Sequence, residues 1–180
     1  MSKPIDLPHR VAGNLALDLA NTISWRGTPR EIDCLADAEG LAAWAQALGL
    51  IDSADAPALY AFEEVRALRT AIIAAGSAVA AGAAPDVSAT ETVARLAARS
   101  LAAASLDGIP ATIAFAPEDR ILGPLAWAAL DLFRGDELAR LKQCPPDDCR
   151  WLFIDRTKNG SRRWCDMASC GNRAKARRAR

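Results

Sequence analysis

Apolar residues recur at helical spacing through most of the first 140 positions. Between Gly13 and Gly27, Leu15, Leu19 and Thr22–Ile23 lie near one stripe, which predicts a short helix ending near Ser24. Asp18, Asn21 and Thr22 then share one side of it, because residues three or four apart are neighbours on a helix. Asp37 is placed to cap a second helix carrying Leu41, Trp44, Ala45 and Leu48, with Gly49 as its stop. A long helix follows from about Ala58 to Ala81, one face traced by Leu59, Phe62, Val65, Leu68, Arg69, Ile72 and Ile73; Arg66 and Arg69 read as surface or ion-pair residues, with a buried arginine facing Asp18 as the alternative. Pro85 interrupts the pattern, and another helix runs from about Ala89 to Leu101.

The period then changes. Asp107-Gly108 is a two-residue turn signal between short apolar runs, Ala111 to Phe115 reads as a strand, and Pro117 ends it. Helical spacing returns from Leu122 to Leu141, with Leu125, Ala129, Leu132 and Phe133 inward. Beyond that point Trp151–Asp155 is a strand candidate. Asn159-Gly160 supplies a turn, Ser161–Cys165 a returning strand, and the residues after Cys170 a final helix. The fold class is α+β: a mainly helical N-terminal domain with a small β-hairpin over residues 1–140, then a small C-terminal module over 141–180.

Composition supports a packed core, since 51% of residues are hydrophobic. Much of that fraction is alanine, which favours helices but buries little per residue. No apolar h-region opens the chain and no run of about 18 apolar residues occurs, so no secretory signal or membrane span is expected and the location is read as cytoplasmic. His9 is the single histidine and no glycine-rich phosphate loop is present, which disfavours common hydrolase chemistry; the protein is read as not an enzyme.

The cysteines change this picture most. Cys144, Cys149, Cys165 and Cys170 form two C-x4-C pairs separated by fifteen residues. Four thiolates in two close pairs suit tetrahedral Zn²⁺ in a closed structural site. A disulfide is disfavoured without a secretory signal. Iron–sulfur signatures use tighter runs, and a catalytic zinc keeps an open position and often uses histidine. Knuckle, hairpin and helix, with ligands from the first and last, is the layout of a treble-clef-like zinc finger with four cysteine ligands. So small a module needs metal to fold. Cys34 stands apart and reads as a small buried thiol.

Charge divides along the same boundary. The chain is neutral as a whole, but residues 1–140 carry 11 basic and 18 acidic side chains, and residues 141–180 carry 11 and 4. An acidic body followed by a basic finger points to a polyanion partner, with the body turned away or folded back as a mask. Arg163, Arg173, Arg177 and Arg178 are the first candidates for phosphate or base contacts, and Arg162 and Lys175 the second, because guanidinium binds phosphate bidentately. The alternative is a solvated basic tail.

Cys170-Gly171-Asn172-Arg173, preceded by Arg163-Trp164-Cys165 and Cys149-Arg150-Trp151-Leu152-Phe153, resembles the CGNR zinc-finger family. Leu15-Ala16-Leu17-Asp18-Leu19-Ala20-Asn21-Thr22 resembles the start of the ABATE domain, which commonly precedes that finger. The resemblance covers nearly the whole chain. It implies zinc on Cys144, Cys149, Cys165 and Cys170, and a stress-induced transcription regulator that binds DNA. The helical domain would sense a small-molecule effector or form a homodimer. A second reading makes zinc a brace for a ligand-binding domain whose pocket is lined by Asp18, Asn21, Thr22, Trp25 and Arg69. A third is RNA binding, with Trp151 or Trp164 stacking on bases. Gly171 is expected to permit a tight turn at the last ligand, and Asn172 to cap the helix or bond near a thiolate.

Overall fold

The computed structural model describes residues 10–52 and 57–178, the last residue and 57–60 by backbone alone. His9, Arg180 and the side chains of Leu59 and Arg178 therefore lie outside the described residues.

Six helices and three strand pairs make up the described chain. Helix α1, Leu15–Ala20, starts where the Asn14 side chain accepts a hydrogen bond from the Ala16 amide at 2.9 Å. It ends four residues before Ser24, because the chain turns into β1, Ile23–Ser24, which pairs antiparallel with β2, Ile32–Asp33. Helix α2, Ala38–Ala47, is capped by Asp37, and Gly49 (φ +72°) leaves it in the left-handed region. Helix α3, Pro57–Ala80, is the central rod. Helix α4, Val87–Ala102, follows an Asp86 cap, and β3, Ser105–Asp107, turns through Gly108 (φ +71°) into β4, Thr112–Ala114.

Helix α5, Leu122–Arg134, stops seven residues earlier than the apolar pattern predicts. Gly135 is extended, a 3-10 turn follows over Asp136–Arg140, and Leu141 opens a strand. That strand, β5 (Leu141–Gln143), pairs antiparallel with β6 (Leu152–Ile154). The hairpin partner of the Trp151–Asp155 segment is thus the stretch before the first cysteine pair, not Ser161–Cys165, which forms no strand. Apolar periodicity cannot distinguish the last helical turns from a short strand with the same inward residues. Helix α6, Asn172–Arg178, closes the described chain.

The main core joins α1 and α3 to α5, and α3 to α4, through Leu17, Leu68, Ile72, Leu96 and Leu125, all essentially inaccessible. Leu141, Leu152 and Ile154 belong to the same core. Gly76 of α3 makes room for this crossing, since a Cβ there would stand 2.7 Å from the Leu152 Cδ1. The strand pair next to the cysteines is therefore built into the helical body. Excising residues 1–140 would strip β5–β6 of its packing. Among the described residues, no helix is long and apolar enough to cross a membrane.

Candidate metal centre and its basic surround

The first cysteine pair is set by β5–β6. The Cys144 amide donates to the Trp151 carbonyl at 2.8 Å, extending the ladder by one step. The Cys149 and Arg150 amides both donate to the Pro146 carbonyl, closing the knuckle. The second pair is set by Asp166, whose carboxylate accepts from the Ala168 amide at 3.2 Å and the Ser169 amide at 2.9 Å. Hydrogen bonding from the Ser169 side chain, joined by these two amides, holds its carboxyl below the ordinary range. One wide turn, Met167–Gly171, closes with the Gly171 amide donating to the Asp166 carbonyl, and α6 continues from it. Sequence reading missed Asp166. The available signal was an aspartate just ahead of a helical segment.

All four sulfurs lie within 4.8 Å of one another and all four cysteines are buried. Cys165 Sγ is 3.6 Å from both Cys149 Sγ and Cys170 Sγ, and none of the cysteines is disulfide-bonded. A tetrahedral ion with metal–sulfur bonds of about 2.3 Å needs sulfurs about 3.8 Å apart, so the quartet fits one ion with little adjustment. The outer contacts fit as well. The Cys165 amide donates to Cys144 Sγ at 3.4 Å, and Arg173 Nη2 donates to Cys170 Sγ at 3.0 Å. Hydrogen bonding from the three other thiols, with Arg173 alongside, pushes the Cys170 thiol far down. Phe153, Val11, Trp151 and Trp164 pack around the sulfurs and exclude water.

Gly171 is not in the left-handed region, and a Cβ there would displace only the exposed, flexible Met167 side chain. Asn172 caps the Met167–Gly171 turn, its backbone amide donating to the Met167 and Ser169 carbonyls. Its Nδ2 donates back to the Ala168 carbonyl at 3.0 Å.

The predicted phosphate contacts have separate fates. Arg162 turns inward. It donates to the Trp164, Val11, Ile154 and Cys165 carbonyls and lies 4.4 Å from the Phe153 ring centroid, so it is a strut of the fold and not an open contact. Arg173 is half-buried against Cys170 and over the Trp25 ring at 4.5 Å. Burial disfavours its charge, but the charges of Cys170 and Asp148 outweigh that and raise its pKa. Arg177 is exposed and pairs with Asp148 at 2.6 Å. Arg163 and Lys175 are exposed, with no carboxylate in ion-pair range among the described residues. The side chain of Arg178 is outside the described residues.

The five residues expected to line a ligand pocket do not converge on one. Asn21 grips β6 through both faces of its amide: Nδ2 donates to the Leu152 carbonyl and Oδ1 accepts from the Leu152 amide, each at 2.9 Å. Thr22 donates to the Leu19 carbonyl and accepts from Arg69. Arg69 is buried, as the long-helix pattern allowed, but faces Asp33 and not Asp18, with two 2.6 Å contacts. Asp18 is buried near Ala12 and Arg10, and burial pushes its carboxyl up. Trp25 alone borders a cavity. That space, about 250 Å³, abuts the metal centre itself: Cys149, Cys165 and Cys170 line it together with Val11, Trp151 and Arg173.

The comparisons with known proteins agree with this division. Residues 13–136 match the ABATE family model, described as "Putative stress-induced transcription regulator", and residues 140–180 match the CGNR zinc finger model. No curated protein matches the chain. The sulfur quartet sits inside the second match, and the helices that bury its hairpin make up the first; the chain belongs to the ABATE family and carries a C-terminal CGNR zinc finger.

Proposed function

We propose that the protein is a cytoplasmic DNA-binding transcription regulator in which zinc, held by Cys144, Cys149, Cys165 and Cys170, fixes a basic helix for contact with the phosphate backbone. The role is binding and not catalysis. Zinc is favoured over other ions because four thiolates in a closed, buried tetrahedron leave no open position and suit a soft-tolerant ion without ligand-field preference. Bound there, the ion would neutralise part of the thiolate charge and lock the two knuckles.

The observation that carries the reading is the position of α6. It starts two residues after the last ligand, so the metal centre fixes its origin, and it presents Lys175 and Arg177 outward, while Arg163 is exposed two residues before Cys165. Phosphate contacts of this kind give affinity that falls steeply with salt. Fluorescence anisotropy of zinc-loaded protein with genomic duplex fragments tests it. Binding should weaken about tenfold or more when Arg163, Lys175 and Arg177 are all replaced by alanine. Affinity that is weak for every fragment and indifferent to those replacements would reject the reading.

A second reading, small-molecule sensing, is favoured by the cavity beside Trp25. Two buried polar atoms, Arg173 Nε and Asp148 Oδ1, have no hydrogen-bond partner among the described residues, and both residues line that space. A ligand bonding to them would raise the melting temperature by linkage. A metabolite screen with no shift would remove this reading.

A further inference from the structure

The acidic body brings its own basic residues to the finger. The loop between β1 and β2 carries Arg26 and Arg30, and it packs against the first knuckle. Trp151 Nε1 donates to the Ile23 carbonyl at 2.9 Å, and Arg26 Nη2 donates to the Arg150 carbonyl at 3.0 Å. The Trp25 ring has Arg30 at 5.8 Å and Arg173 at 4.5 Å from its centroid. One tryptophan thus seats a guanidinium from the body and one from the finger.

Two features mark this junction as more than incidental packing. Trp25 and Arg150, both with φ of 56°, are the only residues other than glycine with positive φ among the described residues. A bulky side chain rarely adopts that conformation, and such outliers concentrate where a site demands a fixed aim. Here the two strained positions stand on either side of the junction that the Arg26–Arg150 hydrogen bond closes, and they set the direction of Trp25, Arg26 and Arg150. The second feature is the lack of compensation. No carboxylate stands in ion-pair range of Arg26 or Arg30 among the described residues, and Arg150 has only the fully exposed Asp147 at 3.6 Å. Burial and the nearby Arg150 charge both disfavour the Arg26 cation, the condition that a bound anion relieves.

We propose that the β1–β2 loop is the second half of the nucleic-acid surface, with Arg26, Arg30 and Arg150 binding the phosphate backbone of duplex DNA beside α6. This rests on the DNA-binding reading above and extends it from the finger to the helical domain. A duplex is favoured over single-stranded RNA because stacking needs open aromatic faces. Guanidiniums lie over Trp25 and Trp164, and Trp151 is half-buried against the metal centre. The charge opposing the site is Glu31, Asp147, Asp148 and the thiolates. Glu31 is occupied by the Gly27 amide at 2.7 Å, and Asp148 by Arg177.

The test titrates a fluorescent 30-base-pair mixed-sequence duplex into zinc-loaded full chain at several salt concentrations. Arg26→Ala with Arg30→Ala should bind about tenfold more weakly at low salt and lower the magnitude of the salt slope by about 2, one for each phosphate no longer neutralised. Arg26→Lys with Arg30→Lys keeps the charge and should recover most of the affinity. Arg95→Ala with Arg120→Ala removes the same charge elsewhere on the body and should leave binding unchanged. Bound zinc and circular dichroism are measured on each variant, and the lysine pair reports on the site if the alanine pair misfolds. Wild-type affinity and slope in the alanine pair, with binding weakened tenfold or more when Arg163, Lys175 and Arg177 are replaced by alanine, would overturn this inference and leave the finger reading intact. A wild-type chain that ignores the duplex, or prefers single-stranded RNA, would overturn both.

Discussion

At the scale of single residues, the polar side chains of the N-terminal domain serve the backbone before any ligand. Asn21 shows this most sharply. It is 2% exposed and satisfies both the amide and the carbonyl of Leu152, 131 residues away. A carboxamide is the side chain that offers one donor and one acceptor side by side. Aspartate would lose the donor and bury a charge. Replacing Asn21 by alanine orphans two buried backbone groups, each costing about 1–3 kcal/mol. Urea denaturation of zinc-loaded Asn21→Ala should show a loss of about 2–4 kcal/mol against the wild type, a range that assumes water cannot fill the gap. A loss under half a kcal/mol would mean that β6 holds its place without the clamp. Arg69 follows the same logic. Its pair with Asp33 works against the burial of that carboxylate, and with the Leu35 amide it keeps the Asp33 carboxyl below the ordinary range.

At the scale of elements, legibility tracked the range of the interactions involved. The helices α2, α3 and α4 were readable because caps, apolar stripes and stop residues are local signals; Asp37 and Gly49 act where the sequence places them, and α4 starts two residues before the expected Ala89, behind an Asp86 cap. The β3–β4 hairpin was readable from Asp107-Gly108 for the same reason. The metal ligands were readable because two C-x4-C pairs carry their chemistry in their spacing. The β5–β6 pairing was not. It depends on Gly135 ending α5 early and on Leu141, Leu152 and Ile154 finding α3, where Gly76 leaves space. No window of ten residues contains that information. The proposed pocket failed in a related way. Asn21, Thr22 and Arg69 are each consumed by a partner distant in sequence, and Asp18 by Ala12 and Arg10 close by. Side chains expected to recognise phosphate divided by the same rule: Arg162 is spent on four carbonyls, while Arg163, next in the chain, is exposed.

At the scale of the whole molecule, the opposite net charges of body and finger describe the sequence better than the surface. The finger is anchored in the body by Leu141, Leu152 and Ile154, and the body extends Arg26 and Arg30 to the finger. The metal should therefore stabilise more than its own knuckles. Cys144 follows β5 directly, and Cys149 comes three residues before β6, so releasing the ion loosens both strands that plug the α3 face. In a chain with a separate finger, a chelator would unfold the finger and leave the helical core melting as before. Here the two should share one cooperative transition. Zinc binding is worth about 10–16 kcal/mol in isolated finger peptides, much of it spent on ordering them, so a few kcal/mol should reach the core. Each kcal/mol is worth about 2–4 °C for a chain of this size, which makes the expected fall in Tm on chelation about 10 °C. Far-ultraviolet circular dichroism, which follows α1–α5, checks it with and without chelator. A helical transition unmoved by metal removal, in protein shown to have lost its zinc, would place a real domain boundary near residue 140. It would also leave the strand pair folded without its ion.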